Sequence, residues 1–394
     1  MARRPRRHVR ARPVAPLGLY IHVPFCSAIC HYCNFNRGLL DGPLKLRYVE
    51  AVTAEIRGAP GRFGWRPGET RADTIFFGGG TPSLLDHHEV SAILSACRTA
   101  FDVAPDAEIT IEANPESAVI AFLEGLRAAG VNRLSVGVQS FRQAELQRLG
   151  RIHDVAQARR ALAGAREAGF DNVSLDLMMW LPEQTVAEWL ESVDEAVGLG
   201  PEHLSLYMLE LYPNAPLREA MARANWSLAP DDDAAEMYEA AMAGLDTAGY
   251  RQYEISNVAR PGRESRHNLK YWTDGEWLGF GPGAHSTLAG TRWKNVSAPD
   301  EYVGRVGAGL TLETDRRDLT AEERWQEAVI MGLRLQAGIS VGAMAAQYGV
   351  DLDARFGDEL QPFREAGLVE REGDRLRLTR RGMLLANEVL RVFI

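Results

Sequence analysis

Short runs rich in β-branched and aliphatic residues alternate with helix-like stretches in the first half of the chain, and this alternation constrains the fold more than any other feature. The β-rich runs span residues 17–23, 74–77, 108–112, 133–138, 173–178 and 204–209, and the helix-like stretches span 43–57, 86–100, 117–129, 155–168 and 185–197. Strands joined by helices through short connections form parallel sheets with right-handed crossovers. The sequence therefore predicts an α/β fold built on a partial (β/α)6 parallel barrel, with an open doubly wound sheet as the alternative.

The flanking regions predict three further parts. Residues 1–12 carry six arginines, no acid and no apolar run like that of a signal peptide, so residues 1–15 are expected to form a basic disordered arm before a barrel over 16–212. Residues 213–315 lose the alternation and are rich in Gly, Asn, Trp and Tyr, which predicts an irregular segment packed on the barrel. Helical patterns at 321–335, 341–348 and 358–366 and a hairpin at 368–378 predict a winged-helix-like α+β domain over 316–394.

Composition narrows the class of protein. The net charge of −9 and the pI near 5.6 argue against a nucleic-acid surface. Acidic residues also interleave with the arginines of the C-terminal domain, so a packing or lid role is expected there. No apolar run is long enough to span a membrane, so at most peripheral membrane contact is expected. Three of the four cysteines crowd into residues 26–33, which is typical of metal-binding or reactive thiols in a reducing compartment and predicts a cytoplasmic location.

The cysteines follow the first predicted strand as Cys26, Cys30 and Cys33, a CxxxCxxC spacing. Thiolates suit zinc or iron–sulfur clusters. Three cysteines would leave one iron of a [4Fe-4S] cubane open to a small ligand with amino and carboxylate groups, whereas a structural zinc completed by His22 or His31 is the alternative. Cys97 lies among Ala, Leu and Ile in a helical stretch, so it is expected to be a core residue.

Unusual residues also follow the other strands, and the carboxyl ends of parallel barrel strands are where active sites form. A glycine run at 78–80 precedes Thr81, and absent β-carbons there would let backbone N–H groups approach a charged ligand. Glu112 ends the third strand, where a carboxylate could pair with the ammonium group or the ribose of a cofactor, with an ordinary turn carboxylate as the alternative. Gln139 and then Arg151 follow the fourth strand, and Asp176 lies in the fifth.

In order and spacing these motifs resemble the oxygen-independent coproporphyrinogen dehydrogenase group of the radical S-adenosylmethionine (SAM) superfamily, from about residue 17 to the C-terminus. The resemblance implies a partial barrel of the radical SAM type with a [4Fe-4S] cluster on Cys26, Cys30 and Cys33. It implies SAM contacts by Tyr20, Gly79, Gly80, Thr81 and Glu112. Further cofactor contacts are implied for Gln139, Arg151 and Asp176, some of which serve a second SAM in this group.

Two features of the resemblance favour a haem chaperone of this group over a dehydrogenase. The dehydrogenases resemble the chain but have a further cysteine where this chain has Phe35, and a longer extension than the roughly 16 residues before the first strand here. Residues 267–272 match the HNxxYW motif of the chaperones. The motif implies haem contacts, with His267 on the iron, Tyr271 and Trp272 on a porphyrin face, Arg263 and Arg266 on the propionates, and a weaker contact by His285.

Without the resemblance, the residues alone favour a different interpretation of this motif, in which His267 and Asn268 begin a helix whose aromatic side chains pack in the core. The leading hypothesis is a haem chaperone that holds a [4Fe-4S] cluster and SAM, binds haem and passes it to an acceptor protein such as a respiratory enzyme. A coproporphyrinogen III dehydrogenase supplied by an electron donor, and a zinc-stabilised winged-helix regulator, are the alternatives. Whether the chain catalyses turnover stays open, and no catalytic residue is assigned.

Overall fold

The computed structural model of the chain describes residues 15–394, so the expected basic arm at 1–15 lies, but for its last residue, outside the described residues. The strands are β1 Leu17–Val23, β2 Phe25–Cys26, β3 Gly38–Leu39, β4 Arg71–Gly79, β5 Asp102–Ala113, β6 Arg133–Gln139, β7 Val173–Met179, β8 His203–Met208, β9 Arg251–Gln252, β10 Asn257–Ala259, β11 Trp277–Phe280, β12 His285–Leu288, β13 Thr291–Asn295, β14 Glu313–Asp318, β15 Ile339–Ser340, β16 Val369–Glu372 and β17 Arg375–Leu378.

The helices connect these strands. They are α1 Gly42–Phe63, α2 His87–Ala100, α3 Ile120–Ala129, α4 Gln143–Arg148, α5 Val155–Glu167, α6 Val186–Leu199, α7 Pro216–Ala224, α8 Asp231–Thr247, α9 Arg266–Trp272, α10 Pro299–Gly307, α11 Ala321–Gly332, α12 Val341–Tyr348, α13 Leu352–Glu365, α14 Arg380–Leu384 and α15 Ala386–Leu390, with short 3₁₀ turns at Pro82–Leu84 and Arg391–Phe393.

The largest sheet has the strand order β14-β13-β12-β11-β1-β4-β5-β6-β7-β8-β10-β9. The strands predicted from the sequence are β1 and β4 to β8, and each pairs in parallel with its neighbour. The outer strands β10, β12, β13 and β14 pair antiparallel with theirs. Because β14 and β9 form separate edges, the sheet curves without closing, and the predicted partial barrel is confirmed.

Two features of the segment 213–315 correct the sequence-based prediction. The segment is not irregular, because it contains α7 to α10 and β9 to β14, and β11 adds a further parallel strand beside β1. Strands of two to six residues are too short for an alternating pattern to show. The long helix α8 buries Met237 and Leu245 in the barrel core, and the indole N–H of Trp189 on α6 donates to the Met237 carbonyl.

The crossover helices begin and end where their sequences indicate. Asp86 and Glu89 have the sequence spacing of a capping box, and the structure confirms it at the start of α2: the Asp86 side chain accepts from the Glu89 N–H, and the Glu89 side chain accepts from the Asp86 N–H. The same device starts α5 and α6. Helices α3 and α6 end at Gly130 and Gly200 with φ of 102° and 70°, a conformation that favours glycine.

The C-terminal part has a hydrophobic core of its own, which includes Trp325, Leu360, Leu376 and Phe393. Helices α11 to α15 pack against a small sheet of order β15-β17-β16, in which β16 and β17 form the predicted hairpin. Helices followed by a small antiparallel hairpin form the winged-helix-like α+β arrangement that the sequence predicts. This part contacts the rest of the chain through α11, which packs against α9, and through α14, which packs against α8.

Candidate functional site

The cysteine loop is fixed at the carboxyl end of the barrel by backbone hydrogen bonds. Cys26 ends β2, which pairs in parallel with β3 and so joins the two ends of the loop. The N–H groups of Gly80 and Thr81, just after β4, donate to the carbonyls of Val23 and Phe25 at 2.7 Å each. At its tip the loop is held by His31, whose N–H donates to the Leu149 carbonyl at 3.0 Å. The three thiols therefore lie on a segment anchored at both ends and at its tip.

A cavity of about 350 Å³ opens at this end of the barrel and brings most of the predicted site residues together. Its lining includes the three loop cysteines and the residues expected to contact SAM from the ends of successive strands, namely Cys26, Cys30, Cys33, Gly79, Gly80, Thr81, Glu112, Gln139, Arg151 and Asp176. Gln139 has a φ of 69°, so the chain turns sharply where β6 reaches the cavity.

One hydrogen-bonded chain ties three strand ends to the cysteine loop. The guanidinium of Arg151 lies 3.4 Å from the sulfur of Cys30 and donates to the Gly137 carbonyl at 2.8 Å. It also donates to the Asn114 side chain at 2.7 Å, and the Asn114 amide donates to the Thr81 hydroxyl at 3.2 Å. No role for Asn114 is predicted from the sequence, although Asn114 directly follows the strand that ends at residue 113 and lines the cavity.

Two carboxyl groups on the cavity wall have raised pKa values. Burial, and after it the nearby Asp176, raise the pKa of Glu112 to about 8, while the Gly79 N–H, 3.3 Å from Glu112 Oε2, opposes the rise. Burial raises the pKa of Asp176 to about 6 against hydrogen bonds from Ser205 and Ser135. A cationic ligand beside this pair would restore their charge, so the wall is suited to an ammonium or sulfonium group.

The sequence predicts that the glycine run presents backbone N–H groups to a ligand, but the structure does not show this arrangement. The N–H groups of Gly79, Gly80 and Thr81 are all donated within the protein, to Glu112, Val23 and Phe25. A β-carbon at Gly80 would lie 2.6 Å from the Phe25 carbonyl oxygen, so glycine is needed there for the close approach of the cysteine loop. The run shapes the cavity by bringing two backbone segments together.

The residues fit a cluster better than a single zinc ion. Within residues 15–394, no three His, Cys, Asp or Glu side chains are grouped to hold one metal ion. His22, the first candidate to complete a zinc site, has one ring nitrogen 2.7 Å from the Asn36 carbonyl and the other 3.1 Å from the Tyr20 hydroxyl. In a cubane each cysteine binds a separate iron, so the loop need not converge on one point. Cys97 is a buried core residue of α2, and burial raises its pKa to about 12.

A second cavity of about 310 Å³ lies inside the barrel and shares Glu112, Asp176 and Tyr207 with the first. Tyr20 faces this interior cavity and does not line the cysteine cavity. The remaining walls of the interior cavity are mostly polar side chains of the barrel strands and of α9, including Thr110, Arg133, Ser135, Ser174, His203, Ser205, Ser265, His267, Asn268 and Tyr271.

Helix α9, which carries the HNxxYW motif, closes the amino end of the barrel, opposite the cysteines. The buried carboxylate of Glu108 accepts the backbone N–H groups of Arg266 and His267 at 3.1 Å each, and so fixes the first turn of α9. The ring of His267 is 1% exposed, with Nδ1 2.8 Å from the Thr74 hydroxyl and Nε2 2.9 Å from the Tyr271 hydroxyl. Burial lowers the pKa of His267 to about 3, so the ring is neutral.

Three other side chains expected to contact haem, those of Trp272, Arg263 and Arg266, have protein partners. The guanidinium of Arg334 lies 4.5 Å from the centre of the Trp272 ring, so Trp272 packs against the C-terminal part. Arg263 lies 3.6 Å from Asp171. Arg266 donates to the Asp106 carbonyl at 2.7 Å and lies within 4 Å of two aspartates, and the exposed His285 belongs to β12. In this conformation the motif makes internal contacts, as the residues alone had indicated.

Comparisons with known proteins agree with this geometry. Residues 20–196 match the Radical SAM superfamily, and residues 319–385 match the HemN C-terminal domain. The solved structure of coproporphyrinogen III oxidase (HemN) from Escherichia coli, a radical SAM enzyme, superposes with a TM-score of 0.85 at 25% identity, covering 98% of this chain and 91% of that chain. The fold and the cysteine cavity thus define a protein of the radical SAM superfamily.

Relatives in sequence define the family more narrowly. The chain is 37% identical to heme chaperone HemW of Bacillus subtilis, covering 95% of this chain and 98% of the relative. It is 39% identical to HemW of Mycobacterium tuberculosis over 97% of this chain and 96% of the relative, and 35% identical to HemW of Escherichia coli over 96% and 98%. The chain belongs to the HemW family. Among residues 15–394, no helix combines the length and the apolar character needed to cross a bilayer.

Proposed function

We propose that this chain is a cytoplasmic haem chaperone that holds a [4Fe-4S] cluster and SAM, binds haem and transfers it to an acceptor protein such as a respiratory enzyme. The observation that carries the proposal is that Cys26, Cys30 and Cys33 line one cavity with residues from the ends of β4 to β7. Membership of the HemW family supports the cargo, because the relatives are named heme chaperones.

The cysteine cavity offers a distinct contact for each part of the cofactor pair. Cys26, Cys30 and Cys33 would hold the cluster, which when bound supplies an open iron and single electrons. Glu112 and Asp176 would pair with the positive charges of SAM, and Glu112, whose pKa is about 8, would lose its proton as it does so. Arg151, which already contacts Cys30 and Asn114, would keep the loop in register with the strand ends and supply positive charge beside the anionic cluster. Tyr20 would contact SAM only from the interior cavity.

A cysteine substitution tests whether the cluster takes part in haem transfer. We expect Cys33→Ala to lose cluster iron and sulfide after anaerobic reconstitution and to deliver haem to an apo-acceptor more slowly than the parent. Cys97→Ala is the matched control, because it removes a thiol that lines neither cavity. If Cys33→Ala delivers haem as fast as the parent, the cluster has no part in transfer.

The motif residues His267, Tyr271 and Trp272 remain the haem contacts that the family resemblance implies. For His267 to bind the haem iron, one of its hydrogen bonds to Thr74 and Tyr271 must break. Helix α9 must also move away from the amino end of the barrel. Haem titration of His267→Ala tests this contact. An affinity equal to that of the parent would remove His267 from the set of iron ligands.

The similarity to the E. coli coproporphyrinogen III oxidase supports a second candidate function, the oxidative decarboxylation of coproporphyrinogen III with an electron donor. Anaerobic incubation of the reconstituted chain with reductant, SAM and coproporphyrinogen III separates the two functions. A chaperone yields no protoporphyrinogen beyond the amount formed without the protein, whereas sustained formation would overturn the chaperone proposal.

A further inference from the structure

Polar side chains surround the interior cavity of the barrel, where a barrel of parallel strands is ordinarily filled by Val, Ile and Leu. Alternate side chains of a strand face the same side of a sheet. From β5 to β8, the side chains that face this cavity are Thr110, Glu112, Arg133, Ser135, Ser174, Asp176, His203, Ser205 and Tyr207. A barrel core that is both polar and hollow indicates that the cavity holds a polar ligand or ordered water.

Arg133 is the cation among the described residues that line the interior cavity. It is 2% exposed, and its Nη1 donates to the Asn172 side chain and to the Arg263 carbonyl at 3.0 Å each. Within residues 15–394, no hydrogen bond from Nε or Nη2 is found and no carboxylate lies within 4 Å of the guanidinium. Buried donors without partners are rare, and two parallel N–H groups of a guanidinium match a carboxylate. The Nε–Nη2 edge of Arg133 is therefore free for an anionic ligand.

Further donors face the same cavity. Thr110 lies opposite Arg133 in the register of β5 and β6, is fully buried, and has a hydroxyl without a hydrogen-bond partner among the described residues. The half-buried Asn268, on the first turn of α9, also lines the cavity. Burial lowers the pKa of His203 and of His267, so both rings are neutral and Arg133 carries the positive charge.

The acidic groups of the cavity do not serve as the partner of Arg133. Glu112 and Asp176 lie toward the cysteines, where they also line the cysteine cavity. Burial raises the pKa of Asp176 to about 6 although Arg133 lowers it, as expected of a cation that is near but not paired. From the free guanidinium edge and the unpaired hydroxyl beside it, we propose that the interior cavity is a carboxylate-binding site anchored by Arg133.

Two sources of the carboxylate fit this position. One is a free small carboxylate enclosed in the barrel. The other, which rests on the proposed function, is a propionate of haem, because α9 closes this cavity and carries the haem motif. Arg133 is already joined to the segment before α9 through the Arg263 carbonyl. A haem held by α9 would keep its ring outside the barrel and extend only a propionate toward Arg133.

The first experiment titrates the full chain at pH 7.5 with ¹³C-carboxyl-labelled propionate and follows the labelled carbon by NMR. We expect Arg133→Met to raise the propionate Kd by about tenfold or more, because a charge-assisted pair is lost. Arg159→Met is the matched control, since Arg159 is an exposed residue of α5 that lines neither cavity. Asp176→Asn should lower the Kd, because it removes a negative charge near the anion, and a misfolded variant could not produce that gain.

The second experiment distinguishes the sources by comparing haem with haem dimethyl ester, which keeps the ring and the iron but has no carboxylate. If haem supplies the carboxylate, Arg133→Met should raise the Kd of haem by about tenfold or more and leave the Kd of the ester unchanged. A general disturbance of α9 would weaken both ligands equally. Arg159→Met should bind both ligands as the parent does.

Each result has a defined meaning. A loss in Arg133→Met for propionate alone assigns the site to a free carboxylate, and a loss for haem but not for its ester assigns it to the haem propionate. A propionate affinity that neither variant changes, combined with equal effects of Arg133→Met on haem and ester, overturns the proposal and leaves water as the content of the cavity. A parent chain that binds neither haem nor the ester refutes the proposed function, whereas the propionate titration still decides the role of Arg133.

Discussion

The Nδ1 atom of His267 lies 2.8 Å from the Thr74 hydroxyl, at the amino end of the strand whose carboxyl end, Gly79, lines the cysteine cavity. The motif helix and the cysteine loop therefore occupy opposite ends of one barrel. Between them lies the polar interior cavity, which shares Glu112 and Asp176 with the cysteine cavity. The barrel interior thus connects the two sequence motifs that define the protein, although they do not touch.

The Thr74–His267 hydrogen bond should contribute measurably to stability. Thr74→Val keeps the shape of the side chain but leaves a buried imidazole nitrogen unpaired, so we expect the free energy of unfolding to fall by about 1–3 kcal/mol. Urea denaturation of the cofactor-free chain measures the change. Thr99→Val is the control, because Thr99 is an exposed residue of α2, and its loss should be well below 1 kcal/mol. Equal stability of Thr74→Val and the parent would contradict this role.

Hydrogen bonds to the Glu108 carboxylate should hold α9 at the amino end of the barrel. The amide of Glu108→Gln can accept from only one of the N–H groups of Arg266 and His267 and brings its own donors toward the other. We expect a loss of about 1–3 kcal/mol in unfolding free energy and faster hydrogen exchange in the first turn of α9. Glu124→Gln, at an exposed position of α3, should change neither quantity. Unaltered exchange in α9 of the Glu108 variant would show that packing alone fixes the helix.

The barrel and the ligand loop were predictable because their signals are local. Alternating strands and helices, capping residues such as Asp86 and left-handed glycines such as Gly130 each act over a few residues, and the structure confirms them. The shared cavity was predictable for a related reason, since parallel strands must end at the same edge. Thus Glu112, Gln139 and Asp176 meet the cysteines although they lie far apart in sequence.

The remaining features depend on packing between distant segments. Strand β11 pairs with β1 although more than 250 residues separate them in sequence. Its four residues carry no pattern that predicts which strand it pairs with. The position of α9 could not be predicted from the sequence either, because the hydrogen-bond partner of its N-terminus is Glu108, a residue of β5 that belongs to no recognisable motif. The contact between Arg334 and Trp272 likewise arises only when the C-terminal part packs on the barrel.

The contact between Arg334 and Trp272 supports a prediction about how the C-terminal part is held on the barrel. Arg334 lies 3.4 Å from Glu254, a fully buried carboxylate whose pKa is raised by burial and lowered by this arginine. Arg334→Ala leaves that carboxylate without its cation and exposes the Trp272 ring, so we expect a loss of about 3–5 kcal/mol. Limited proteolysis should then cut between the barrel and residue 319 faster than in the parent.

Arg391→Ala is the control for that experiment, because within residues 15–394 Arg391 pairs only with the exposed Glu388. A cleavage rate in Arg334→Ala equal to that of both the parent and the control would show that the ion pair does not hold the two parts together. Adding Glu254→Gln to the arginine variant should recover part of the stability, since the buried charge is then removed.

The affinity of the cofactor-binding chain for SAM should depend on pH through Glu112. Its pKa of about 8 means that the free protein carries a neutral Glu112 at pH 6.5, whereas pairing with a cationic ligand favours the ionised form and releases a proton. The SAM Kd should therefore fall by about tenfold or more as pH rises from 6.5 to 8.5, then level off above the pKa.

Calorimetry in buffers of different ionisation enthalpy measures both the affinity for SAM and the proton released on binding. Glu112→Gln should bind SAM more weakly at pH 8.5 and lose most of this dependence, while Glu124→Gln should keep it. A parent affinity that is constant over this range would show that Glu112 does not pair with the cofactor's positive charge.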